Sequence, residues 1–228
     1  GALIAAAKQC EHLFGMDIAL RWLIICQQRL KEHGVAATLV CADIENPPFR
    51  TLSFSKIIAN DLLENVYSVD DTLRSLSALL LAQGKLWIAG SNRYCVGPHP
   101  TTRLWAIGYL PTRLRKKVVR YFRGVDSLRF IHLISPLAIA RSAKQLNLQC
   151  LSIAPKTVGR ATANYPIIDR LLIHAYRIAT RLPLARQLLI WIGPAFEMVF
   201  EKSSSATQST SHQPKDCLLY TSDAADES

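Results

Sequence analysis

The sequence predicts an α/β chain, a mostly parallel sheet covered by helices on both faces. Three observations carry this reading. Short apolar runs alternate with longer segments of helical periodicity. Three of those runs close on a polar side chain, Asp17, Asp43 or Asn60. The chain has 228 residues, 50% hydrophobic and 19% charged, which is enough for one full core.

Residues 2–9 are Ala-rich and form a helix, and 13–16 are a strand that ends at Asp17. Residues 19–33 carry Leu20, Leu23, Ile24 and Leu30 at helical spacing, with Gly34 where a C-terminal capping glycine belongs. A second strand, 38–42, ends at Asp43, and the Pro47-Pro48 pair after it precludes regular structure. A third strand, 54–59, ends at Asn60-Asp61. Asp70 and Asp71 cap a helix over 72–82, Gln83-Gly84 makes a turn, and 85–89 is the fourth strand.

Residues 91–134 interrupt this rhythm with Gly97-Pro98-His99-Pro100, five aromatics and a run of bases, and they read as an inserted substrate wall or lid. Ser135-Pro136 opens a helix to 146, and 148–153 is a fifth strand. A second insertion, 160–194, holds two amphipathic helices broken at Pro183. Helices of this kind ordinarily turn their apolar side to their own domain, with contact at a membrane surface as the alternative. A last strand, 196–200, ends at Glu201. The domain therefore runs over 1–202, and 203–228 is expected to be a disordered tail. Within it, 217–228 resembles the translation of a sequencing-library adapter and is left out of the fold.

Charge is unevenly placed. The chain has 27 basic and 17 acidic residues, for a net charge of +10, and sixteen of the bases but only two of the acids lie between Arg103 and Arg186. A solvated face, nucleic acid, anionic lipid and a phosphorylated substrate are all compatible with such a half. No apolar run is long enough to span a membrane. The six cysteines lack metal-ligand spacing and framework pairing, which reads as reduced thiols in a cytosolic protein.

Strands ending in Asp17-Ile18 and Ala42-Asp43-Ile44, then Pro48-Phe49, Ser53-Phe54-Ser55, the stretch from Asn60 to Val66 and Gln83-Gly84-Lys85-Leu86, come in an order that resembles the class I S-adenosylmethionine-dependent methyltransferases. The resemblance covers residues 1–89, and it continues more weakly at Phe196-Glu197-Met198-Val199 as an antiparallel last strand. It implies a Rossmann-like, doubly wound sheet whose first strand, with its acidic-plus-glycine turn, is missing ahead of Gly1.

The same resemblance implies S-adenosylmethionine as cofactor and assigns contacts to it. Gly1 is the last glycine allowing close backbone approach. Asp17, followed by Ile18, accepts from the ribose diol. Asp43 accepts from the adenine amino group while the Ile44 backbone meets the ring edge, and Asn60 faces the methionine part or the substrate. Asn65 stands where many relatives have a histidine, so no catalytic histidine is carried over. Asp61, Glu64, His99 and His132 are candidates for a base, and none is assigned.

The expected activity is methyl transfer to a small-molecule acceptor, anionic or lipid-like, held under the first insertion. Methylation of RNA and a non-catalytic nucleoside-binding or membrane-peripheral role are the alternatives. With its central strand missing, the chain is expected to leave two strand edges unpaired and to be inactive.

Overall fold

A computed structural model describes residues 2–7, 10–100, 102–124, 132–157, 166–203 and 216–221. Seven strands form one sheet in the order β2-β1-β7-β3-β4-β6-β5. In chain order they are β1 (His12–Asp17), β2 (Thr38–Cys41), β3 (Phe54–Asn60), β4 (Leu80–Ser91), β5 (Leu148–Pro155), β6 (Ala195–Lys202) and β7 (Asp216–Thr221). The helices are α1 (Ala2–Ala6), α2 (Leu20–Glu32), α3 (Val69–Leu79), α4 (Thr112–Arg123), α5 (Pro136–Gln145), α6 (Ile167–Ala179) and α7 (Pro183–Ile192). β6 runs antiparallel to both β4 and β5, and the other pairings are parallel. This is the Rossmann-like, mostly parallel sheet with an antiparallel last strand that the sequence predicts.

The main departure lies at the centre of the sheet. The place expected to be empty is filled by β7, drawn from the tail expected to be disordered and left out of the fold. β7 pairs in parallel with β1 from His12 to Met16 and with β3 from Lys56 to Asn60. Two facing strands with unpaired N–H and C=O groups are a template for any extended apolar segment, and Cys217-Leu218-Leu219-Tyr220 is one. Leu218 joins the core on the α3 and α5 side, while Cys217 and Leu219 join Leu3, Leu13 and Leu30 on the side of α1 and α2. Cys217, Leu218 and Leu219 thus alternate between the two faces, as in a strand buried on both. Cys217 is also disulfide-bonded to Cys10, with Cα atoms 6.1 Å apart, which corrects the reading of all six cysteines as reduced thiols. Spacing in the sequence could not reveal this pair, because sheet pairing brings the two residues together.

Other differences are local. The helix expected from residue 72 begins at Val69, because the Ser68 side chain accepts from the Asp71 N–H at 3.3 Å, leaving Asp70 and Asp71 as first-turn acids that favour the helix dipole. α3 stops at Leu79 and passes directly into β4. The Gln83-Gly84 signal marks an irregularity inside that strand, with Gln83 at φ 60° and a register shift opposite Phe54–Lys56. Gly34 has φ 63° just past α2, as its capping role requires. Ser135 caps α5 through the Ala138 N–H. Contrary to the ordinary expectation, α6 buries none of its residues. Among the described residues no helix is long and apolar enough to cross a membrane.

Candidate functional site

Parallel strands present their carboxyl ends along one edge, and ligands of open α/β sheets bind there. β1 ends at Asp17, β2 leads into Ala42-Asp43-Ile44, and β3 ends at Asn60. Since β1 lies beside β2 and one strand away from β3, the sheet brings these residues to one edge. Gly1 lies outside the described residues.

Asp17 is 4% exposed, and its Oδ1 accepts from the Ala19 N–H at 2.7 Å. This bond fixes the carboxylate at the start of α2. Ile18 beside it is 61% exposed, so the edge offers an apolar surface next to an acid. Asp43 is exposed and closes an Asx turn by accepting from the Glu45 N–H at 2.9 Å, and the Ile44 side chain is buried in the core. The acids here are acceptors, which fits the hydroxyl and amino donors of a nucleoside.

The other half of the edge is a network of charges. Asn60 Nδ2 donates to Asp61 Oδ2 at 2.7 Å. Asp61, at φ 51°, receives Lys156 Nζ on both oxygens, at 2.9 and 2.8 Å. Lys156 follows β5, and its carbonyl accepts from the Tyr176 hydroxyl of α6 at 2.9 Å. Burial is the main cause that pushes the Tyr176 hydroxyl up to about 12, helped by Glu197, so it remains a donor at neutral pH.

Glu64 lies behind this network and is buried. Its Oε1 accepts from the Ser91 N–H at the end of β4, and its carbonyl accepts from the His132 N–H at 2.7 Å. Burial raises the Glu64 carboxyl above its ordinary value, and the bonds from Ser91 only partly oppose that. Of the remaining base candidates, His132 is exposed, while His99 is fully buried in the first insertion. Burial, and then the charge of Arg115, bring His99 down to about 4, so its ring is neutral at physiological pH.

Lys156, Ser91 and Tyr176 belong to this edge and were not among the residues singled out from the sequence. Lys156 carried a usable signal, a lone charge just past a strand, which is the same signal as Asp17. Tyr176 carried none, because only the packing of α6 brings it to Lys156.

A family profile described as a methyltransferase domain matches residues 1–88. The similarity to this family is confined to these residues. The methyltransferase match covers α1 to most of β4, the stretch that carries Asp17, Asp43, Asn60 and Glu64. The sequence matches no curated protein.

Solved structures share the fold of this chain at low identity. Geranyl diphosphate C-methyltransferase from Streptomyces coelicolor A3(2), in complex with Mg2+, geranyl diphosphate and S-adenosyl-L-homocysteine, is 15% identical with a TM-score of 0.56, over 90% of this chain and 67% of that one. The YcgJ protein from Bacillus subtilis is 13% identical with a TM-score of 0.54, over 89% and 87%. The [4+2]-cyclase SpnF is 13% identical with a TM-score of 0.55, over 89% and 70%.

Proposed function

We propose that the chain is an S-adenosylmethionine-dependent methyltransferase of a small-molecule acceptor. The observation that carries this is the buried, oriented carboxylate of Asp17 at the carboxyl edge of a sheet whose sequence matches the methyltransferase domain. A cyclase has the same fold, so fold alone does not decide the chemistry.

S-adenosylmethionine supplies a methyl group on a positively charged sulfur, ready for in-line displacement. What the chain contributes is alignment and exclusion of water. Asp17 holds the ribose diol, and the exposed Ile18 side chain packs beside it. Asp43 and the Ile44 backbone hold the adenine edge. Asn60, steadied by Asp61 and Lys156, faces the methionine part or the acceptor. The acceptor lies under the first insertion, against Tyr94 and Tyr109, whose rings are 5.5 Å apart.

The two strand edges expected to be unpaired are paired by β7, which removes the ground on which the chain was expected to be inactive.

Calorimetric titration with S-adenosylhomocysteine tests the proposal. The chain is expected to bind, and Asp17→Ala to weaken binding by roughly 10- to 100-fold, the worth of hydrogen bonds to a charged group. Absence of binding, or an affinity indifferent to Asp17→Ala, would sink the reading.

A further inference from the structure

α6 and α7 are amphipathic in an unusual direction. On α6 the inward side is set by Tyr176, bonded to Lys156, and by Asp169, paired with Arg103 at 2.8 Å. The apolar stripe therefore points outward, with Ile167, Ile168 and Leu171 at 74%, 72% and 65% exposure. On α7, Ile190 is buried, and Leu184, Leu188 and Trp191 recur at helical spacing on the open side. Open apolar stripes on two neighbouring helices are the kind of surface that marks an interaction site.

α4 extends this face. Arg123 Nε donates to the Thr102 carbonyl at 2.7 Å, and Arg103 next to it pairs with Asp169, so the end of α4 and the start of α6 flank one turn. Tyr121 and Phe122 stand open at that end with Trp105 nearby in sequence. Lys116, Lys117, Arg120 and Tyr121 line a surface hollow of about 310 Å³.

We propose that α4, α6 and α7 form a surface that docks on an anionic lipid bilayer. The choice of occupant rests on charge complementarity. Arg170 and Arg177 border the stripe of α6, Arg181 stands just ahead of α7, and α4 adds its own bases, in a stretch of sixteen bases and two acids. A second copy would bring the same positive charge to the contact and be repelled. Nucleic acid would neutralise the bases and leave the apolar stripes in water. Anionic headgroups meet the bases while the bilayer boundary takes up the apolar and aromatic side chains. Since no described helix can span a membrane, the chain lies on the surface. The proposal concerns docking and does not depend on methyl transfer.

Vesicle co-sedimentation of the full chain tests it, with phosphatidylcholine vesicles carrying or lacking phosphatidylserine. Binding is expected only with phosphatidylserine, and it should fall as salt rises. Lys116→Glu with Lys117→Glu should reduce partitioning roughly 25-fold or more, at about fivefold per base. Ile168→Ser with Leu171→Ser, and separately Leu184→Ser with Leu188→Ser, should each reduce it at least about tenfold with the melting temperature unchanged. Three results would overturn the proposal: no sedimentation with either vesicle, partitioning that the variants leave intact, or a concentration-dependent dimer that the apolar variants abolish.

Discussion

Asp17 and Glu64 are both buried carboxylates near the carboxyl edge, and their surroundings give them different work. Asp17 ends a strand and is oriented by one backbone N–H, whereas Glu64 is pressed against β4, where an added Cβ on Gly90 would come within 3.0 Å of its Oε1. Burial raises the Glu64 carboxyl above its ordinary 4.5. Between the unfolded and folded values, the folded chain keeps a proton that the unfolded chain releases. Stability from this group is therefore greatest below the ordinary value and declines as pH rises through the folded one. Glu64→Gln should flatten that decline, with a melting temperature at or above that of the parent at neutral pH; melts from about pH 5 to 8 check this. Asp17 was legible as the acid that closes the first strand, while its burial and its bond from the Ala19 N–H depend on how the chain enters α2. Glu64 was legible as a candidate, but its burial and its bond to Ser91 depend on how residues 62–66 fold over β4.

At the scale of elements, periodicity located strands and helices well, and failed where tertiary pairing decided. The Gln83-Gly84 pair carries a turn signal, yet the pairing of Leu80 with Phe54 and of Lys85 with Lys56 carries one strand past it, with the pair as an irregularity at Gln83 φ 60°. α6 and α7 were found from their period, but which side they turn to the domain could not be read, because Tyr176 and Asp169 fix it through partners far away in sequence. The first insertion is held by a tight approach. A Cβ on Gly108 would lie 1.6 Å from the Arg93 carbonyl oxygen, so Gly108→Ala must push residues 107–109 away from Arg93. The expected cost is about 1–3 kcal/mol, read by denaturant unfolding, with the bond from Arg93 Nε to the Gly108 carbonyl lost.

For the whole molecule, the strand last in sequence is central in space. Its composition alone gave no reason to include it, and the resemblance to adapter sequence gave a reason to leave it out. Only the gap between β1 and β3 makes Cys217-Leu218-Leu219-Tyr220 a strand. Leu218 is fully buried, so Leu218→Ala should cost about 2–5 kcal/mol by thermal or denaturant unfolding. The Cys10–Cys217 bridge closes a sequence separation of 207, worth about 5 kcal/mol in the chain-entropy account. Thiol reduction should therefore lower the melting temperature markedly, and Cys10→Ser should reproduce that shift.

The position of β7 also governs how the sheet is completed. Its pairings span most of the chain, so they form late and slowly. Until they do, β1 and β3 stand apart as a slot for one parallel strand. In a concentrated refolding mixture the slot of one molecule is as well matched to the β7 of another as to its own. Strand exchange then competes with closure, and the yield of monomer falls as protein concentration rises.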